Sequence, residues 1–321
     1  MITEGILNIN KPQNMTSHDV VAICRRTLGI KKIGHTGTLD PMATGVLPVC
    51  IGRSTKVIEY LDTDIKKYSC TMLLGLQTDT QDIWGNVLSR SEVETTEEEV
   101  REAFGSFVGV IDQKPPMYSA IKVNGKRLYE YAREGKTVEV KSRKVFIKSL
   151  EIEGIDLESE EKTVSFSIEC SKGTYIRTIC QDVGDAIGCS ATLTRLERTA
   201  SGVFTIDKAI DIGELRTMSV DEIKPLLYKS EDALDKFGVI ETSEFSGLKF
   251  INGNPMPENK CQVVKKPFYA DRDFYLPVSN TYKNGYKLFG PIDGKERFLG
   301  IGVYDSEKKH YAADKIFYIR G

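Results

Sequence analysis

Asp40 is the single carboxylate in Gly34-His-Thr-Gly-Thr-Leu-Asp-Pro-Met-Ala-Thr-Gly-Val-Leu47, a stretch that also carries three glycines, one histidine and one proline. It lies between Leu39 and Pro41, just ahead of the apolar run Val46-Leu-Pro-Val-Cys-Ile51, where a loop enters a buried strand. A carboxylate in that position needs a cation or hydrogen-bond donors beside it, because burying an unpaired charge is very costly. A second constellation, Ser171-Lys-Gly-Thr-Tyr-Ile-Arg177, sets an arginine at the start of a helix directly after a buried strand, well placed to meet a carboxylate from a neighbouring loop. Read alone, the Asp40 stretch is open to a structural-turn reading and to a phosphate-cradle reading. The second is weakened because there is no GxxxxGK[ST] and no second acid near Asp40 to hold Mg²⁺.

The elements that must position these groups are legible in the pattern. Gly5 to Asn10 reads as a short strand followed by a turn at Lys11-Pro-Gln-Asn14. Thr16-Ser-His-Asp19 has the form of a capping box, and Val20, Val21, Ile23, Cys24 and Leu28 follow at helical spacing up to Gly29. Val46 to Gly52 reads as a strand and Ser54 to Leu61 as a short helix. Lys66 to Gly75 reads as a strand with Tyr68, Cys70, Met72 and Leu74 on one face, so Tyr68 points inward, where ordinary core packing is its plainest role. In Gln77-Thr-Asp-Thr-Gln-Asp82 the acids Asp79 and Asp82 are explained more cheaply by Asx turns than by metal binding. Thr96 to Glu99 offers another capping box. Val164, Phe166, Ile168 and Cys170 alternate as a strand that delivers Arg177; Ile176, Ile179, Cys180, Val183 and Ile187 form a helical stripe closed by Gly188, and Ala191 to Arg198 resumes a strand. Ile210 to Phe237 reads as mostly helical. From about Val239, short strands with Asn252-Gly253, Asn284-Gly285 and Asp293-Gly294 turns, closing on Phe298–Tyr304 and Lys315–Ile319, predict a separate small β domain.

Between Gln113 and Lys144 the chain changes character. Lysines and arginines (Lys122, Lys126, Arg127, Arg133) alternate with tyrosines, which is what an RNA-contacting insertion requires, with charge for phosphates and rings for bases; a basic surface hairpin and helix is the bland equivalent. The chain as a whole has a formal net charge of -2 over 321 residues, so any polyanion site is a local patch. Its seven cysteines are odd in number and scattered without a CxxC, which argues against a disulfide framework or zinc site and for a reducing cytoplasm. The N-terminus has no basic region leading into a long apolar stretch, so neither a signal peptide nor a membrane span is predicted.

Four of these stretches together resemble the bacterial tRNA pseudouridine synthase B family. Gly5-Ile-Leu-Asn-Ile-Asn-Lys-Pro12 with Met15-Thr-Ser17 is similar to its opening motif, Gly34-His-Thr-Gly-Thr-Leu-Asp-Pro41 to its catalytic loop, Gln113 to Gly135 to its RNA-binding thumb, and Ser171 to Thr178 to the motif with the partner arginine. The chain departs from the pattern at Gln13-Asn14, where the family usually has glycine; asparagine tolerates a left-handed backbone, so the turn is expected to survive.

The resemblance implies an α+β fold: a pseudouridine synthase catalytic domain over residues 1–238, with a mixed, largely antiparallel central sheet flanked by helices and a thumb at about 110–145, then a small PUA-like β-barrel for RNA over 239–321. It implies that the T-loop uridine of tRNA, position 55, is isomerised to pseudouridine. The residues carried over are Asp40 as nucleophile, Arg177 as its ion-pair partner and Tyr68 stacking on the uracil, with Tyr175 and Leu196 completing the pocket, His35 holding flipped-out loop nucleotides and Lys11 buttressing the floor. Lys122, Lys126, Arg127 and Arg133 would contact RNA. The implied partner is the tRNA T stem-loop, with no cofactor, no metal, no membrane and no obligatory protein partner; the long thumb favours a stand-alone monomer over a guide-RNA-dependent relative. Addition of Asp40 to C1′, addition to C6 and removal of the 2′ proton are all open to a carboxylate there. The alternative is an RNA-binding or tRNA-folding module, which has no need of Asp40 with Arg177.

Overall fold

The computed structural model describes residues 2–61, 65–270 and 279–318. In chain order the first part runs through β1 (Gly5–Lys11), α1 (Ser17–Leu28), β2 (Ile33–His35), β3 (Thr44–Ile51), α2 (Ile58–Leu61), β4 (Lys66–Leu74), β5 (Leu76–Thr78), β6 (Val87–Arg90) and α3 (Glu97–Gly105). It continues with β7 (Gly109–Gln113), β8 (Lys122–Val123), β9 (Lys126–Arg127), α4 (Leu128–Arg133), β10 (Arg143–Asp156), β11 (Thr163–Cys170), α5 (Ile176–Ile187), β12 (Ala191–Ser201), β13 (Phe204–Thr205) and β14 (Ile210–Asp211). Three one-turn helices, α6 (Ile212–Leu215), α7 (Val220–Ile223) and α8 (Ser230–Ala233), lead to β15 (Gly238–Thr242), α9 (Glu244–Ile251), β16 (Met256–Pro257), β17 (Cys261–Lys265), α10 (Asn280–Asn284), β18 (Gly285–Ile292), β19 (Lys295–Asp305) and β20 (His310–Ile316).

The first sheet follows the order β14-β1-β3-β12-β4-β11-β10-β7, with β2 and β13 attached to β3 and β12. Its pairings are antiparallel except β1 with β14 and β3 with β12, so the sheet is mixed and largely antiparallel. β3 is buried on both faces, and the two-residue period divides them. Leu47, Val49 and Ile51 join Val20, Ile23 and Cys24 of α1 in the main core. Val46 and Cys50 face the other way, into a second core shared with Phe237, Tyr282, Ile301 and Phe317.

That second core joins the C-terminal part to the first sheet. The C-terminal strands form a curled, half-barrel sheet in the order β16-β20-β19-β18-β15-β17. It has its own small core around Ile240, Phe250, Leu288 and Leu299. It is also tied down by Lys56 donating to the Ile316 carbonyl at 2.5 Å, Tyr60 to Asp314, and Tyr282 to the Tyr60 carbonyl.

Local signals mostly place the elements. α1 has the Thr16–Asp19 capping box and ends on Gly29 in the left-handed region; α3 has the Thr96–Glu99 box. Asn14 adopts φ 65°, so the turn is kept without glycine. Two expectations shift. Of the three Asn-Gly and Asp-Gly turns, only Asp293-Gly294 (φ 51° and 72°) is a two-residue hairpin, pairing Ile292 with Lys295; Asn252-Gly253 closes α9 and Asn284-Gly285 joins α10 to β18. These residues serve helix C-termini as readily as hairpins, and the preceding helices decide. Ile210–Phe237, expected to be mostly helical, holds three single turns of α-helix after the short β14. Of the strand expected over Lys315–Ile319, β20 ends at Ile316 and Ile319 lies outside the described residues.

Candidate active site

The loop between β2 and β3 is fastened to the body at several points. Ser17, the first residue of α1, accepts from the Leu39 N–H at 2.9 Å and donates to the Leu39 carbonyl at 3.2 Å. The Ala43 N–H donates to the Asp40 carbonyl and the Asn14 N–H to the Pro41 carbonyl. These bonds fix the backbone on both sides of Asp40, leaving its side chain about 40% exposed at the wall of a cleft of about 640 Å³. The loop glycine whose role is clearest is Gly45, at φ 100°, where a Cβ would stand 2.3 Å from the Arg198 carbonyl. It lets β3 meet β12, so this glycine serves a backbone approach inside the protein rather than room for a nucleotide.

Arg177 projects from the first turn of α5 with its side chain only 5% exposed. Its Nη2 lies 2.9 Å from Asp40 Oδ2 and donates to the Tyr118 carbonyl at 3.0 Å, while Nη1 donates to the Thr80 carbonyl at 2.7 Å. Nη1 also lies 3.7 Å from Asp82 Oδ2. One guanidinium thus joins the Asp40 loop, the β5–β6 loop and the base of the thumb. Asp82 keeps the expected Asx turn, its Oδ1 accepting from Thr80 Oγ1 at 2.8 Å and the Trp84 N–H at 3.1 Å, and presents its second oxygen to Arg177. Burial raises its carboxyl above the usual carboxylate range, against the Thr80 hydrogen bond and Arg177.

Tyr68, Tyr175, Arg177 and Leu196 line the same cleft as Asp40. Tyr68 reaches it from β4 and Leu196 from β12, half-buried and buried respectively. Burial pushes the Tyr68 hydroxyl up to about 12, with Arg198 pulling it back, so it stays protonated near neutral pH. Two further groups escaped the sequence reading. Arg198 is among the most deeply buried side chains, donating from Nε to the Val46 carbonyl at 2.6 Å and from Nη2 to the Gly37 carbonyl at 3.0 Å. It braces both ends of the Asp40 loop, and its signal was available: Leu196 and Arg198, two apart on one strand, share a face. Gln113 holds the Tyr175 backbone with both ends of its amide, at 2.8 and 3.0 Å.

Lys11 lies beneath the loop, fully buried, donating to the Pro12 and Met15 carbonyls at 2.9 and 2.7 Å. Burial lowers it to about 8, with Asp40 the leading opposing influence. A lysine depressed in the folded state from 10.5 destabilises the fold while protonated, and that burden lifts as pH rises from about 8 towards 10.5. Loss of the same proton removes a positive charge near Asp40. The expected result is an alkaline limb in kcat/KM with a midpoint near 8, while wild type gains stability relative to Lys11→Met over that range. Parallel pH profiles of turnover and urea unfolding check it; a limb unchanged in Lys11→Met would sink it.

The remaining expected residues lie apart from the cleft lining. His35 sits on β2, edge-on to His18 with ring centroids 5.3 Å apart. The thumb cations lie on the β8–β9 hairpin and α4. Lys126 is engaged by Glu134 and lies 4.9 Å from the Tyr131 ring centroid. Arg127 and Arg133 sit 5.7 and 5.4 Å from the Tyr129 ring centroid, and Lys122 is exposed. No cluster of three or more His, Cys, Asp or Glu able to hold a metal occurs among the described residues. All seven cysteines are free thiols.

Residues 25–176 match the N-terminal domain of the TruB family of pseudouridylate synthases, and residues 177–236 match the tRNA pseudouridylate synthase B C-terminal domain. The chain is 45% identical over 313 residues to tRNA pseudouridine synthase B of Alkaliphilus oremlandii, covering 97% of each. It is 47% identical to the protein of that name from Clostridium novyi, over 94% of this chain and 96% of the relative. A solved Cbf5-Nop10-Gar1 complex contains a chain of similar fold, with a TM-score of 0.70 at 23% identity, covering 98% of this chain and 85% of that one.

Proposed function

The chain belongs to the TruB family of pseudouridylate synthases and is a tRNA pseudouridine synthase, an isomerase; from that premise we propose that it acts on the T-loop uridine, position 55, with Asp40 as nucleophile. The observation that carries the residue assignment is the 2.9 Å Asp40–Arg177 ion pair in a cleft that also holds Tyr68 and Leu196. A module that only bound RNA would have no need of this half-exposed carboxylate paired with a buried arginine.

The reaction breaks the C1′–N1 bond, turns the uracil and rejoins it through C5; C5 loses a proton and N1 gains one, so the change is an isomerisation. Arg177 keeps Asp40 oriented when RNA displaces water, and holding the reacting groups in near-attack geometry supplies much of the acceleration. The uridine leaves its stack at a few kcal/mol, and stacking on Tyr68 returns roughly 1–3 kcal/mol per base. Tyr175 and Leu196 complete the base pocket, Lys11 supports its floor, and His35 receives loop nucleotides displaced with the uridine. Lys122, Arg127 and Arg133 offer the thumb's charges to phosphates, and Tyr129, flanked by the two arginines, offers a ring. Residues 1–238 constitute the catalytic domain and 239–321 a PUA-like RNA-binding domain. The enzyme works as a monomer without an obligatory protein partner, in the cytoplasm, which suits its seven free thiols. No helix of the described residues is long and apolar enough to cross a membrane.

Purified protein is expected to release tritium from C5-labelled uridine in a T stem-loop RNA without added metal or nucleotide, and to place one pseudouridine, at position 55, in bulk tRNA. Release with the modification mapped elsewhere would refute the site, and no release would refute the activity.

A further inference from the structure

Six cationic side chains line the cleft, Lys66, Arg143, Lys144, Lys172, Arg177 and Arg198, against the single carboxylate Asp40. Four of them are engaged within the protein. Arg177 is held by Asp40, Asp82 and two carbonyls; Arg198 by the Val46 and Gly37 carbonyls; Lys144 pairs with Asp112 at 3.1 Å; and Lys66 is buried and partnered. Arg143 and Lys172 are different. Both are exposed, and neither makes an ion pair or hydrogen bond with any described residue.

The fold brings these two together. Arg143 opens β10, opposite Gln113, the residue that grips Tyr175. Lys172 lies in the turn from β11 to α5, and that turn is zipped to β10 where the Ser171 N–H donates to the Phe146 carbonyl at 2.8 Å and the Phe146 N–H to Ser171 Oγ at 2.9 Å. Gly173 has φ 79°, and a Cβ there would lie 3.9 Å from Arg143 Nη1, so the guanidinium rests over the turn that carries Lys172. Burial raises the Tyr175 hydroxyl's pKa, and the Ser119 hydrogen bond and then the nearby Arg143 charge oppose it. Two like charges at the mouth of one cleft repel and are relieved by an anion, and among the described residues no carboxylate pairs with either. An arginine fork next to a compact ammonium suits a phosphate.

We infer that Arg143 and Lys172 form a phosphate clamp at the mouth of the cleft, holding a backbone phosphate adjacent to the uridine whose base enters beside Tyr175. The inference rests on the proposed reading of the cleft as the uridine site. A nucleotide drawn from its stack carries a phosphate on each side, and a clamp there fixes the sugar relative to Asp40 while the base is free to turn.

The test uses full-length protein and a T stem-loop RNA on which wild type is first shown to release tritium; failure at that step is failure of the proposed function, not of the clamp. Arg143→Ala and Lys172→Ala are each expected to raise KM about tenfold, the loss of one charge-assisted hydrogen bond, with kcat within about twofold. Each is also expected to reduce the slope of log Kd against log salt by about 0.7–0.9, one phosphate contact. Lys148→Ala, on the same strand but ion-paired to Glu169, serves as the control and leaves both unchanged. A methylphosphonate on the 5′ or the 3′ side of the target should weaken wild type as much as Arg143→Ala does at one of the two positions, with no further loss when the two changes are combined. That arm reads wild-type protein first, so a poorly folding variant does not decide the matter. Unaltered salt slopes in both variants would overturn the clamp, as would losses from methylphosphonate and Arg143→Ala that add at both positions.

Discussion

Asp40→Asn is expected to abolish turnover, lowering kcat by on the order of 10⁴-fold or more, the scale on which losing a nucleophile shows. The substitution keeps the size of the side chain and leaves an oxygen to accept from Arg177 Nη2, which lies 2.9 Å from Asp40 Oδ2. The loop does not depend on the carboxylate for its path. Ser17 holds Leu39 and Arg198 holds Gly37 through backbone atoms, and Gly45 fixes the exit. RNA affinity and unfolding midpoint are therefore expected to stay near wild type while tritium release stops. That split separates chemistry from assembly, and turnover within tenfold of wild type in Asp40→Asn would remove Asp40 from the mechanism. An isosteric change is the right probe because Asp40→Ala would also strip Arg177 of a partner.

The pair at the centre of this expectation is legible in the sequence, because each member sits at a local boundary that sequence marks well. Asp40 stands between a glycine-rich loop and an apolar run, and Arg177 follows an alternating strand and opens a stripe ended by Gly188. The groups around the pair were not legible in the same way. Asp82 and Gln113 acquire their roles from the order of strands in the sheet and from where the thumb leaves it, which no local pattern encodes. The sequence marks Asp82 as a turn residue, yet a carboxylate has two oxygens and the turn uses one. Arg198 lay between these cases, since its strand and facing followed from Leu196, but an arginine in a nearly continuous core is tolerated only where carbonyls are left over to receive it. The thumb's composition points to RNA, but not to the engagement of Lys126 by Glu134, which leaves Lys122, Arg127 and Arg133 as the thumb's proposed phosphate contacts.

Removing the cation should do more harm to the fold than removing Asp40, and Arg177→Met is where that is expected to show. Asp40 is about 40% exposed and water can take over its solvation, whereas the Asp82 side chain is about 10% exposed and faces the guanidinium from inside. Breaking a buried pair by taking away one partner typically costs about 3–5 kcal/mol, because the other charge is stranded. Asp82 is already raised by burial, and losing Arg177 raises it further. An acid whose folded pKa is raised binds its proton more tightly when folded, so stability falls as pH climbs through that pKa and is recovered as pH drops. The deficit of Arg177→Met relative to wild type is therefore expected to be largest near pH 7 and to shrink in urea unfolding at pH 5. Turnover should fall by about 10²–10³, the usual loss when one preorganised charge partner is removed. Adding Asp82→Asn to Arg177→Met relieves the stranded charge and is expected to restore stability without restoring turnover. Should the double variant turn over like wild type, Arg177 would be a structural tie and not the partner that holds Asp40 for attack.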